Sequence, residues 1–208
     1  LIRLTSPIDL GIFQLAPIIT QFCAKYPKVK IEVNLSDEVK DIVAKRYDLS
    51  FRVGWLQDSS NRARKIGSFR EVALSTPAFA KNWAPKTPKD LSSLPFTAYD
   101  VIDRSTRTFI HQASTKTKEQ STEVELTTNL SFNTTLAIRE ALLTSQYFGV
   151  LPDFTVKKDL KAGVLQELLP NWKLREGGIY IVRPPSQLRT QAVQLFIDAI
   201  ISKFEATI

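Results

Sequence analysis

Methionine is absent from this sequence, cysteine and histidine occur once each, and glycine occurs only seven times in 208 residues. Each shortage removes a class of function. Cys23 alone excludes a disulfide framework and a thiolate zinc site within one chain. It falls in an apolar helical pattern, where a buried inert thiol is expected rather than a nucleophile. His111, in "RTFIHQ", has no second histidine to share a metal or a proton with, so a solvated or strand-edge side chain is expected. No G-x-G-x-x-G, Walker loop or G-x-S-x-G occurs among the glycines. The neighbouring acids Asp37 and Glu38, and Glu123 and Glu125, read as surface positions. No enzyme, cofactor or metal site is expected from these residues. No apolar run approaches the roughly 18 residues that a membrane span requires, and no secretory signal is visible. Starting at Leu1 without a methionine, the chain reads as a piece of a longer protein.

What is present is ordinary for a globular fold: 43% hydrophobic and 24% charged residues. The net charge is +7. Arg62, Arg64, Lys65 and Arg70 form one basic cluster, and Lys157, Lys158 and Lys161 another. They are interleaved with acids and lack an Arg/aromatic platform, which favours a solvated basic surface over a nucleic-acid groove.

Strands are predicted at Ile2–Thr5, Val29–Leu35, Leu49–Val53, Val72–Ser75, Phe96–Tyr99, Thr108–His111, Glu123–Thr127, Phe148–Leu151, Leu165–Leu168 and Ile179–Arg183. Helices are predicted over Asp9–Tyr26, Asp37–Arg46 with Ser36 as its cap, Phe132–Ser145 and Gln187–Phe204. In the first helix, apolar residues at 12, 15, 16, 19, 22, 23 and 26 mark one buried face, and Pro17 is expected to kink it. The alternation predicts an α/β fold with parallel sheets, and the tract 100–123 reads as loops around one strand. At Thr5-Ser6-Pro7-Ile8-Asp9, a strand meets a helix N-terminus. Two readings stand there, a helix cap or an anion site built from free N–H groups.

The motif order is more specific than the periodicity. "LAPIITQFCAKYPKVKIEVNLSD", "DIVAKRYDLSFRVGWLQDSSNRARKIGSF", "ALSTPAFAKNWAPKTPKDLSSLP", "ALLTSQYFGVLPDFTVKKDLKAGVLQELLPNW" and "GIYIVRPPSQLRTQAVQLFIDAI" together resemble the effector-binding domain of LysR-type transcriptional regulators over nearly the whole chain. The resemblance implies two Rossmann-like α/β subdomains with a cleft between them, a fold like the type 2 periplasmic binding proteins. It puts residues 1–72 and 177–208 in one subdomain and 73–176 in the other. The family's N-terminal winged helix-turn-helix is absent from this chain, so DNA would be contacted only through that missing domain. The implied function is non-catalytic sensing of a small effector, commonly a carboxylate, in a cytoplasmic regulator. A solute-binding protein of a transporter is the alternative on the same fold.

Matching the family's motifs implies effector contacts at Thr5, Ser6, Pro7, Ser36, Arg52, Val53 and Gly54 in the first subdomain. In the second it implies Tyr99, Asn129, Leu130, Ser131, Val150 and Pro152. Asp37 is expected to cap rather than to touch the effector. Arg52 reads either as an anion clamp or as part of a structural network. Where the family usually has Gly-Leu-Gly, this chain has Ser145-Gln146-Tyr147, so either the turn differs or Tyr147 projects into space near the effector. The family also forms homodimers or tetramers. Ile12, Leu15, Ile19 and Phe22 are expected to face Ala137, Ile138 and Ala141 of a partner copy.

Overall fold

The computed structural model describes residues 1–38, 43–55, 63–100, 106–113, 120–184 and 190–205. The chain divides into two units, residues 1–69 with 177–208 and residues 70–176.

The first unit is built on five strands: β1 (Ile2–Ser6), β2 (Ile31–Leu35), β3 (Leu49–Gly54), the first part of β4 (Ala63–Ser75) and β12 (Glu176–Val182). Their order is β2–β1–β3–β12–β4. β1 is parallel to both β2 and β3, whereas β12 runs antiparallel to β3. The sheet is therefore mixed, not parallel as predicted. A parallel neighbour needs a crossover element, and β12 enters straight from the second unit without one.

The first helical segment comprises α1 (Ile8–Leu10), a π-helical turn (Gly11–Leu15) and α2 (Ala16–Lys25). Pro17 sits in the first turn of α2, directly after the wide turn. A proline has no N–H to donate and crowds the carbonyl four residues back, and the π turn changes the carbonyl spacing just there. It also corrects the predicted buried face. Leu10, Leu15 and Phe22 are buried, but Ile12 is 43% exposed. The buried steps are five residues and then seven, because the π turn inserts one residue and carries Ile12 out of phase with a strict 3.6 repeat. Phe22 packs edge-on against Phe196 of α6 (Gln191–Glu205), at 5.1 Å between ring centroids. The predicted helix at Asp37–Arg46 falls partly outside the described residues. Its described parts are a bend at 37–38 and a turn at 43–46, with Arg46 at φ 54°.

The second unit carries a sheet in the order β4–β9–β5–β8, formed by β4, β9 (Phe148–Pro152), β5 (Phe96–Tyr99) and β8 (Leu130–Phe132). β5 is parallel to β8 and β9, β4 is antiparallel to β9, and β10 (Gln166–Glu167) pairs antiparallel with β4. A separate three-stranded sheet joins β11 (Trp172–Lys173), β6 (Thr106–His111) and β7 (Ser121–Glu125). Helices α3 (Pro77–Trp83), α4 (Thr135–Leu143) and α5 (Asp153–Ala162) complete the unit. One core cluster gathers Phe79, Leu91, Phe96, Phe109 and Phe148. Another gathers Val72, Leu74, Ile138, Leu142 and Leu151.

Thr76 caps α3 by accepting a hydrogen bond from the Phe79 N–H, and Pro77 follows at the first helical position. α5 ends on Gly163 at φ 71°, the left-handed conformation that glycine adopts without cost. Arg139 of α4 holds the buried carboxylate of Asp159 on α5 through two bonds of 2.7 and 2.6 Å.

Candidate functional site

Open α/β sheets place ligands at the carboxyl ends of their strands, and the nominated residues of each unit lie there. In the first unit, Thr5 and Ser6 end β1, with Ser6 paired to Leu35 of β2. The next residue, Ser36, donates its backbone N–H to the Ser6 carbonyl at 2.9 Å. Thr5 is also paired with Ser50 of β3, so Arg52, Val53 and Gly54 run on beyond it toward the same edge. Gly54 has φ 146°, and a side chain added there would meet nothing within 4 Å, so backbone conformation rather than space is what asks for glycine.

The helix N-terminus in this unit is already occupied by the chain's own anions. The Ile8 N–H donates to Asp37 Oδ1 at 2.9 Å, and the Leu10 N–H donates to Asp9 Oδ1 at 2.7 Å. Asp37 is thus a cap as expected, but it caps the first helix from across the edge instead of starting a second one. Ser6 is not a cap, because its hydroxyl donates to the Pro7 carbonyl at 3.0 Å. It is 1% exposed and Thr5 is 4% exposed, whereas Pro7, Ser36, Arg52, Val53 and Gly54 are half-buried and reach solvent. The Ser36 hydroxyl accepts a local bond from the Glu38 N–H, at 3.3 Å. Arg52 lies opposite Tyr180 of β12 and makes no ion pair among the described residues.

In the second unit, Tyr99 and Phe132 are register partners at the ends of β5 and β8, and Ser131 pairs with Ala98. Val150 and Pro152 end β9 opposite Ala73 and Glu71. Leu130 and Ser131 are strand residues, and α4 starts at Thr135, three residues later than predicted. The Thr128 hydroxyl explains the delay, since it accepts from the Leu130 N–H at 2.9 Å and shares its single proton between the Leu130 and Phe96 carbonyls. These contacts hold the backbone extended into β8. Asn129 and Ser131 are exposed, Tyr99, Leu130 and Pro152 half-buried, and Val150 buried.

The turn before β9 takes the conformation that glycine would favour, with serine in its place. Ser145 has φ 63°, while Tyr147 has an ordinary negative φ. The Thr76 hydroxyl bonds Ser145 Oγ at 2.8 Å, and the Ser75 hydroxyl donates to the Tyr147 carbonyl at 2.6 Å. The left-handed residue is thus anchored from the α3 cap.

On the expected dimer faces, Leu15, Phe22 and Ile138 are buried within their own units. The apolar residues that remain exposed around the first helix are Ile12, Val33 and Leu35, the last two on the edge strand β2. Among the described residues no cluster of His, Cys, Asp and Glu could hold a metal ion, and no helix is long and apolar enough to cross a membrane.

Residues 1–205 match the family model of the LysR substrate binding domain. The chain is 32% identical over 201 residues to the HTH-type transcriptional regulator PtxR of Pseudomonas aeruginosa, covering 96% of this chain and 62% of that protein. It therefore spans less than two thirds of that relative. Among solved structures, the regulatory domain of the C227S variant of AphB from Vibrio vulnificus superposes with a TM-score of 0.78 at 25% identity, covering 97% of this chain and 98% of that one. Full-length AphB of Vibrio cholerae, a virulence activator, gives a TM-score of 0.80 at 23% identity, with coverages of 98% and 68%. The relatives are transcriptional regulators and not transporter solute-binding proteins. With two α/β subdomains of the periplasmic-binding-protein type, the chain belongs to the LysR substrate-binding domain family, the regulatory domains of LysR-type transcriptional regulators.

Proposed function

We propose that this domain binds a small carboxylate at the strand ends of its first unit, with Arg52 as the anion clamp, and that binding controls transcription by the complete regulator. The observation that carries this reading is the half-buried Arg52 guanidinium without an ion pair among the described residues. A guanidinium in partial burial favours a planar anion that it can grip with two parallel hydrogen bonds. Asp37 and Asp9 already satisfy N–H groups at the helix start, so an incoming anion needs Arg52 for its charge. Pro7, Ser36, Val53 and Gly54 supply the surrounding surface. Thr5 and Ser6 support it from below, and Tyr99, Asn129, Leu130, Ser131, Val150 and Pro152 are further contact candidates in the second unit.

In the complete protein, a helix-turn-helix outside this sequence would read DNA. The charge of residues 1–208 is dispersed and interleaved with acids, so the isolated domain would not select an operator sequence, and its role would be sensing rather than catalysis. Homodimers would form over Ile12, Val33 and Leu35, and the protein would act in the cytoplasm.

Calorimetric titration with a panel of small carboxylates tests the site. Loss of one charge-assisted interaction is worth about 1.5–3 kcal/mol, so Arg52→Gln is expected to weaken the best ligand roughly tenfold to a hundredfold, with an unchanged melting temperature. Equal affinity for both proteins would contradict the assignment.

A further inference from the structure

We propose that Tyr180 is the second arm of the Arg52 clamp, its phenol hydroxyl donating to the same carboxylate that the guanidinium grips. The inference rests on the Arg52 reading and extends it to β12, a strand that carries none of the residues considered above as effector contacts. Both residues belong to the first unit.

Residues directly opposite in an antiparallel pair project from the same face of the sheet, with Cβ atoms about 4.5–5.5 Å apart. Tyr180 lies opposite Arg52, and Gly178 lies opposite Gly54, two residues nearer the carboxyl end of β3. Side chains alternate along a strand, so these two pairs share one face. The Tyr180 ring leans back along β12 over Gly178. A Cβ built on Gly178 would fall 2.4 Å from the phenol oxygen and 2.4 Å from Cζ. Only glycine leaves room for the ring there, and the ring's direction follows from that. The hydroxyl is carried toward the Gly54 end of the patch, which is the strand-end edge assigned to the effector. A Cβ built on Gly54 would meet nothing within 4 Å, so the neighbouring position on β3 is open.

Both polar groups lack partners. Tyr180 is 8% exposed, yet its hydroxyl makes no hydrogen bond, and Arg52 makes no ion pair, among the described residues. Buried polar side chains are nearly always bonded, and an exception asks for a reason. Packing explains the ring but not the oxygen, since phenylalanine would fill the same space. A bound carboxylate explains both groups. Its two oxygens present about four lone-pair sites, of which a guanidinium gripping with two parallel N–H bonds occupies two. A phenol O–H from the opposite strand fills a third without adding charge.

The test is a titration of the 208-residue protein with sodium acetate, exchanged against sodium chloride at constant ionic strength and followed by backbone amide shifts. Wild type should show saturable shifts at 52–54 and 178–180, with Kd of about 10 mM or below. Tyr180→Phe should keep the wild-type melting temperature, because the hydroxyl it removes has no partner in the free protein. It should weaken acetate roughly threefold to tenfold, the range of one hydrogen bond. Wild-type affinity in Tyr180→Phe, with binding lost in Arg52→Gln, would overturn the Tyr180 assignment and leave the Arg52 clamp standing. No saturation by about 100 mM, or shifts that persist unchanged in Arg52→Gln, would overturn both.

Discussion

Replacing Ser145 separates two opposing contributions at the turn before β9. The residue sits at φ 63°, a conformation that costs a non-glycine residue roughly 1–2 kcal/mol. Against this, its hydroxyl bonds Thr76 Oγ1 at 2.8 Å, and Thr76 is 8% exposed. Ser145→Ala keeps the backbone strain and leaves the Thr76 hydroxyl proton without its acceptor, though Thr76 still caps the Phe79 N–H, so it should destabilise by about 1–2 kcal/mol. Ser145→Gly loses the same bond and adds unfolded-state entropy, but relieves the strain, so the net change should stay within about 0.5 kcal/mol of zero. For a domain of this size, 1 kcal/mol moves the melting temperature by about 2–4 °C. The alanine variant should therefore melt roughly 2–8 °C lower, and the glycine variant close to wild type. The assay is thermal unfolding by circular dichroism. A glycine variant clearly more stable than wild type, beside an alanine variant equal to it, would show that the Thr76 bond contributes nothing.

Arg139→Ala should destabilise by about 3 kcal/mol, because it leaves the Asp159 carboxylate, 7% exposed, without its two-pronged partner; urea unfolding measures this, and a loss under about 1 kcal/mol would contradict it. The Asp90 carboxyl is held below its ordinary value by backbone N–H groups, chiefly that of Lys86 and then that of Thr87. A depressed folded value gives stability that is present above the unfolded value near pH 4 and is lost as pH falls through the folded one. Melts of wild type and Asp90→Asn should accordingly differ most at neutral pH and converge in acid. Ile12→Lys, at a 43% exposed position, should shift sedimentation toward monomer at tens of micromolar without changing the melting temperature, and an unchanged dimer population would argue against this face.

The strand ends are legible because β5 and β9 are short, mainly apolar runs and β1, β2 and β3 alternate apolar with polar residues, and both patterns announce themselves locally. The rest depended on interactions that a linear period does not contain. Ile12 belongs to the buried face only if the 3.6 repeat continues unbroken, and the π turn breaks it. The first half of β4, with Arg64 and Lys65 exposed between Ala63 and Ile66, reads as polar loop until β12 is seen beside it. α3 and α5 lie outside the predicted helices although each carries a terminal signal, Thr76-Pro77 at the start of one and Gly163 at the end of the other. In the candidate site, the residue types at the first junction raised the choice between a cap and an anion site. That Asp37, some thirty residues on, supplies the anion could not be read from local sequence, since it follows from the pairing of β1 with β2.

The most direct test of the effector reading is the map of amide shifts produced by the best carboxylate from the titration panel. The account predicts the largest changes at Pro7-adjacent amides Ser6 and Ile8, at Ser36 and Asp37, and at Arg52 to Gly54, all abolished in Arg52→Gln. Shifts that avoid this edge, or that survive unchanged without the guanidinium, would contradict it.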